Sequence, residues 1–183
     1  MEGRCKGAIF RGNIEYVIKK HGKLGLQQIK DDMKSKSFHL DLENMKDGHW
    51  YPLDSRMRFL KSTAKAFDLD DEKLIELGRS GFNKSTIAQF YLKLAGSPKM
   101  IFDISSKVWS HNYDTGRLEP EFNGPQGSYF RIFDFDAEQI FFIYLIGYYM
   151  AAFEKVNARN VDIQYKKVQR DGQDCHEYLI KWE

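Results

Sequence analysis

The stretch that decides the fold is Ile140 to Phe153, which reads IFFIYLIGYYMAAF and is apolar apart from Gly147 and the tyrosine hydroxyls. A helix that is apolar nearly all round belongs in the middle of a core. The segment is about six residues too short to cross a bilayer, and charged residues flank it at Glu138 and Glu154. We therefore expect a central core helix from about Ala137 to Val156, and no membrane span.

Residues on both sides of this helix alternate between apolar and polar types, which predicts β-strands. Before it, the alternation at Leu118, Pro120 and Phe122 leads through a turn at 124–127 into an aromatic-rich strand at 128–135. After it, a second pair of strands is joined at Asp171-Gly172, a typical hairpin turn. The apolar positions of this second pair are Val161, Ile163, Tyr165, Tyr178, Ile180 and Trp182.

The first hundred or so residues have the periodicity of helices. Gly22 follows the first apolar stripe and predicts that the first helix ends there. Either Asp54 or Ser55 is positioned to cap a later helix. The carboxylates of Asp70-Asp71 suit the start of another helix. Gly78 and Gly81 predict a break. The expected helices are 7–21, 24–33, one that starts at 54 or 55 and runs to about 67, 70–77, 82–94 and 99–109.

The order of these elements predicts an α+β fold in one domain, residues 1–183. An N-terminal helical half is followed by a β-hairpin, the central apolar helix and a second β-hairpin. The two hairpins together form a four-stranded antiparallel sheet, because packing one such sheet on helices is the simplest layered solution.

Composition narrows the classes of function. Hydrophobic residues make up 42% of the 183, which is too many for a disordered chain, and the net charge of only +2 leaves no basic surface of the kind that binds nucleic acid. The polar stretch Met1 to Gly7 lacks an export signal, so we expect a cytoplasmic protein in which Cys5 and Cys175 are reduced.

No convincing catalytic or metal-binding motif is visible. The five histidines form no zinc-type pair with a cysteine, and the glycines at 78–81 lack the spacing and lysine of a phosphate-binding loop. A serine nucleophile elbow and a catalytic-cysteine signature are also missing. We therefore expect a protein that is not an enzyme.

The chain is rich in aromatic residues, which account for 15% of it. Aromatic side chains line many small-molecule pockets, together with a few polar groups that orient the ligand. They also pack on one another in ordinary cores. Composition alone leaves both interpretations open.

Two local sequences resemble the H-NOX domains, the haem nitric-oxide/oxygen-binding sensors. They are Lys6-Gly7-Ala8-Ile9 at the start of the first helix and the ending 176–183, HEYLIKWE, after the central helix and a hairpin. The second half is also similar to the vinyl-reductase-like ligand-binding domains and to a paralogous myxobacterial family. This resemblance implies an H-NOX-like fold and a sensory role, with haem as the cofactor of an ordinary member.

Both marks of haem that the resemblance implies are missing. Trp109 stands where the family has its proximal histidine, and His111, two positions later, is rotated by about 200° around a helix. The Tyr-x-Ser-x-Arg motif that grips the propionates is replaced by RIFDFD at 131–136, where Asp134 and Asp136 would repel them.

Our leading prediction is a non-enzymatic sensory or regulatory domain that binds a small apolar ligand in an aromatic-lined pocket without haem. Apart from the ligand, its expected partners are a signalling protein and a second copy in a homodimer. The predicted ligand-binding residues are the wall positions Trp109, Tyr113, Phe142 and Tyr149, with Asn13 or His111 as the orienting polar group.

Two alternatives remain. The first is a divergent haem sensor of NO or O2 with His111 as the axial ligand of the iron. The second is a protein-interaction or dimerisation module with a filled core and no ligand, in which exposed aromatics near Trp50-Tyr51 and Trp109 contact the partner.

Overall fold

The computed structural model describes residues 2–35, 39–84, 90 and 96–183. The helices are α1 (Ala8–Ser35), α2 (Leu53–Phe67), α3 (Asp71–Lys84), α4 (Pro98–Asn112) and α5 (Gln139–Lys155). The strands are β1 (Arg4–Lys6), β2 (Trp50–Pro52), β3 (Arg117–Glu121), β4 (Ser128–Phe133), β5 (Asp162–Arg170) and β6 (Gln173–Lys181).

The N-terminal half is helical, as predicted, and its first two expected helices are the arms of α1. They meet at Gly22, whose φ of 70° and ψ of −176° kink the helix. The short strands β1 and β2 were not predicted; they pair antiparallel, with Cys5 opposite Tyr51. This small sheet holds β1 beside the start of α2.

The starts of α2 and α3 differ from each other in how they are capped. Helix α2 begins at Leu53, directly after Pro52, so the prediction that Asp54 or Ser55 caps it is wrong. Asp54 lies in the first turn instead and accepts a hydrogen bond from Arg58 at 2.6 Å. At α3 the carboxylate of Asp70 does accept a hydrogen bond from the backbone N–H of Lys73, at 2.9 Å.

The predicted break at Gly78 and Gly81 is wrong, because α3 runs through both glycines. A Cβ atom on Gly78 would lie 2.0 Å from the backbone oxygen of Tyr144, and one on Gly147 would lie 1.8 Å from the backbone oxygen of Ile75. The two glycines therefore let the backbones of α3 and α5 touch. The predicted helix over 82–94 falls mostly on 85–89 and 91–95, which lie outside the described residues.

The sheet confirms the prediction of two hairpins around a central helix. Its strand order is β3-β4-β6-β5, and every neighbouring pair is antiparallel. Asp171 and Gly172 both have positive φ, as a two-residue hairpin turn requires. Helix α5 packs between α3 and the inner face of the sheet, and Phe141 and Phe153 on it are fully buried. Within the described residues, no helix is both long enough and apolar enough to cross a membrane.

Candidate ligand cavity

A cavity of about 80 Å³ lies among α3, α4, α5 and the inner face of the sheet. Its wall is mostly apolar and aromatic, and α4 contributes one whole face to it. That face consists of Ile101, Ile104, Ser105, Val108, Trp109 and Asn112. Tyr144, Leu145, Tyr148, Tyr149 and Ala152 of α5 form the opposite side, and Ile9, Gly81, Phe82, Tyr113, Leu118 and Phe130 complete the wall with Arg56.

Arg56 is the one charged side chain among the described residues that line this cavity. It projects from α2 and is only 1% exposed. Its Nη2 donates a hydrogen bond of 2.7 Å to Oδ1 of Asn13. Its Cζ lies 4.7 Å from the centre of the Tyr144 ring. Nε and Nη1 are buried and have no hydrogen-bond partner in the described part of the chain.

No carboxylate of the described residues is paired with this charge. No Asp or Glu of the described ranges forms an ion pair with Arg56, and the residues outside those ranges include no Asp or Glu at all. An arginine keeps its positive charge inside proteins. Burying a charge without a partner costs several kcal/mol, roughly, so such groups are normally paired.

Asn13 fixes the position of Arg56 without lining the cavity itself. It is fully buried on α1, and its Nδ2 donates a hydrogen bond of 2.9 Å to the backbone oxygen of Leu77 in α3. Its side-chain oxygen is thereby turned towards Arg56. Asn13, the predicted orienting residue on α1, therefore lies behind Arg56, and it is Arg56 that lines the cavity.

Four tyrosines line the wall: Tyr113, Tyr144, Tyr148 and Tyr149. The hydroxyl of Tyr149 is buried and has no partner among the described residues. Burial raises the pKa of Tyr149, and burial also raises the pKa of Tyr113, so both stay neutral and able to donate a hydrogen bond. Cys5, which pairs with Tyr113 through an isolated β-bridge, is also buried, and this burial raises the pKa of its thiol to about 12.

Three of the six predicted ligand-binding residues line the cavity: Trp109, Tyr113 and Tyr149. Trp109 is only 5% exposed, and its Nε1 donates a hydrogen bond of 3.3 Å to the backbone oxygen of Thr115. The prediction that Trp109 belongs to an exposed aromatic patch is therefore wrong. Burial of Trp109 follows from its position on the inner face of α4.

The other predicted wall residues lie elsewhere. His111 is exposed on the far side of α4 and does not reach the cavity, because it is two positions from the inward-facing Trp109. Phe142 lines a separate, open cleft of about 1000 Å³. There its ring stacks on His176, with ring centres 3.5 Å apart. Nδ1 of His176 shares a hydrogen bond of 2.8 Å with the hydroxyl of Tyr165.

Arg56 was missed in the sequence, although one signal was present. Leu53, Arg56, Met57 and Leu60 follow the spacing of a single inward helical face, so the position of Arg56 alone predicts burial. Lone arginines in such a pattern usually reach the surface along their flexible stem, so this signal alone did not predict a buried guanidinium.

The cavity residues do not fit a haem. The described wall contains no histidine, cysteine or methionine, and the raised pKa of Tyr113 and of Tyr149 opposes the phenolate form that binds iron. A cavity of about 80 Å³ also admits only a few non-hydrogen atoms, far fewer than a haem contains.

The strand region where the H-NOX resemblance would place haem propionates makes other contacts. Arg131 on β4 donates to Glu177 at 2.7 Å and pairs with Glu121. Asp134, just after β4, pairs with Arg117. In the described ranges, no cluster of three or more histidine, cysteine or acidic side chains is arranged for a metal ion.

The fold is similar to that of several solved H-NOX structures. A doubly substituted Tt H-NOX superposes with a TM-score of 0.67 at 14% identity, covering 97% of this chain and 95% of that one. An oxygen-binding H-NOX domain related to soluble guanylate cyclases, in its oxygen complex, gives a TM-score of 0.66 at 13% identity with the same coverage. A substituted H-NOX of T. Tengcongensis gives 0.63 at 13% identity, covering 97% of each chain.

Comparisons by sequence find no match: neither a protein-family model nor a curated protein sequence matches the chain. The structural likeness covers nearly the whole chain on both sides, at an identity that supports a statement about fold only. This chain therefore has an H-NOX-like fold.

Proposed function

We propose that this chain is a non-enzymatic sensory or regulatory domain that does not bind haem. It binds a small, largely apolar molecule in the cavity among α3, α4, α5 and the sheet. One observation carries the proposal: the cavity lies within the buried hydrophobic core, and aromatic and aliphatic side chains line most of it. A filled core would have favoured a module that binds only proteins. The polar groups without partners, on Arg56 and Tyr149, support a bound ligand.

Helix α4 is the element best placed to respond to that ligand. One face of it lines the cavity, and its other attachments include a 2.7 Å hydrogen bond from Ser106 to the backbone of Leu118 on β3. Helices α3 and α5 are locked together by the contact at Gly78 and Gly147. Filling the cavity therefore changes the packing of α4 more readily than the spacing of α3 and α5. Two partners remain predictions: a signalling protein that contacts α4, and a second copy of this chain in a homodimer.

Xenon is a suitable probe of the cavity, because dry apolar cavities bind it and it carries no polar group. The measurement is isotope-edited NMR of isoleucine methyl groups under xenon pressure. We expect saturable shifts for Ile9, Ile101 and Ile104, which line the cavity, and no shift for Ile163, which is buried in β5.

A matched pair of variants locates the xenon site. Ala152→Leu places a larger side chain in the cavity wall and should abolish the shifts, whereas Ala66→Leu, on α2 and outside the wall, should retain them. The proposal is wrong if xenon leaves the three wall isoleucines unchanged or if Ala152→Leu binds xenon as the wild type does.

A further inference from the structure

The geometry points to an anionic ligand: we propose that Arg56 is the receptor for the carboxylate of a small monocarboxylic acid whose apolar part fills the cavity. This inference rests on the proposed function and specifies the ligand class of the same site. It starts from a guanidinium that is 1% exposed, lines the cavity and has two nitrogens without hydrogen-bond partners in the described residues.

Charge is the first argument. The only polar partner of Arg56 in the described ranges is the amide oxygen of Asn13, which is neutral. The nearby rings of Phe10, Phe59 and Tyr144 place their faces within 5.8 Å of its Cζ and offset the charge only in part. A bound anion would complete the balance that the protein leaves open.

Shape is the second argument. Guanidinium is a planar group with several N–H donors, and it matches the planar, two-oxygen face of a carboxylate. The Tyr149 hydroxyl, neutral and without a described partner, lines the same cavity and adds a further donor. Ser105 and Asn112 of the wall already donate to the backbone oxygens of Phe102 and Val108, so they are less free to bind a ligand.

Size and charge together select the class of anion. A cavity of about 80 Å³ admits only a few non-hydrogen atoms. One guanidinium balances one negative charge, whereas a phosphate monoester carries nearly two. A short-chain carboxylate has a single charge and an apolar tail that suits the aromatic and aliphatic wall.

The test compares propionate with propionamide, which has the same shape and no charge. Both are titrated at pH 7 against the wild-type protein, with the methyl signals of Ile9, Ile101 and Ile104 as the readout. We expect propionate to bind at least tenfold more tightly than propionamide. Arg56→Gln should lose this preference and still bind xenon, which shows that the variant is folded and its cavity intact.

Arg58→Gln is the matched control, because it removes the same charge from the same helix. Arg58 pairs with Asp54 at the surface and does not line the cavity. It should retain the preference for propionate. Arg56→Lys serves as a second variant: it keeps the positive charge but loses the planar group, and we expect binding of propionate to weaken several-fold.

The outcomes separate the two proposals. Equal affinity of the wild type for propionate and propionamide, with xenon still bound, overturns the carboxylate receptor and leaves the cavity as a ligand site. An undiminished preference for propionate in Arg56→Gln also overturns it. Absence of xenon, propionate and propionamide from the wall isoleucines overturns the proposed function itself.

Discussion

Arg56 and Asn13 form a buried polar pair in which Nη2 of the arginine donates to Oδ1 of the asparagine at 2.7 Å. Neither side chain is more than 1% exposed. Asn13 also donates to the backbone oxygen of Leu77 at 2.9 Å. One chain of hydrogen bonds therefore connects α2, α1 and α3 at the edge of the cavity and holds the guanidinium at the cavity wall.

Asn13→Ala should lower the free energy of unfolding by about 2–4 kcal/mol, because it leaves the Leu77 oxygen and the Arg56 guanidinium buried without this partner. Denaturant unfolding followed by circular dichroism measures the change. Asn83→Ala, at an exposed position of α3, is the control and should stay within about 0.5 kcal/mol of the wild type. A similarly small effect of Asn13→Ala would contradict a structural role for the pair.

Gly147→Ala should destabilise the protein by about 3 kcal/mol or more, or prevent folding, because the added methyl group meets the backbone of α3 and not a flexible side chain. The Cβ position is 1.8 Å from the Ile75 oxygen. Thermal unfolding of Gly147→Ala and Gly127→Ala gives the comparison. Gly127 has open space at its Cβ position, so its variant should unfold near the wild-type temperature; equal behaviour of the two variants would mean that α3 and α5 do not touch.

His176 makes the stability of the fold sensitive to acid. Burial lowers the pKa of its imidazole to about 4, and the charge of Lys167 acts in the same direction. The unfolded chain has the usual histidine pKa of about 6.5. Between these two values the unfolded state takes up a proton that the folded state refuses, so stability is full above about pH 6.5 and falls as the pH drops towards 4.

Replacing His176 with glutamine should remove this contribution to the fall in folding stability at acid pH. The side chain is half-buried, so we expect an effect of about 1 kcal/mol and not the full value of the pKa shift. Denaturant midpoints measured from pH 7 to pH 4 test it, with His39→Gln, at an exposed position, as the control. A His176→Gln profile as steep as that of the wild type would contradict the assignment.

The elements that the sequence predicts well are those whose pattern is long and local. The apolar run at 140–153 and the turn at Asp171-Gly172 need only periodicity and turn chemistry to be recognised, and both are confirmed. Strands β1 and β2 are three residues each, too short for an alternation to show. Gly78 argues locally for a break, but the contact with the Tyr144 backbone in α5 overrides that preference.

The candidate site was predictable only in part, for a similar reason. The wall residues Trp109, Tyr113 and Tyr149 could be predicted, because the sequence has many aromatic residues in and beside its helices. The buried guanidinium of Arg56 does not, because sequence patterns show which positions face inward but not which charges remain without a partner there. That information comes from the tertiary contacts of α2 with α1 and α5.

We propose that this H-NOX-like fold holds a small-ligand cavity in place of a haem site. The most direct measurement is the absorption spectrum of wild-type protein after incubation with excess haem and desalting, beside His111→Ala. We predict no stoichiometric haem and the same weak background in both proteins. A sharp Soret band at one haem per chain, lost in His111→Ala, would contradict the claim and assign the haem to His111.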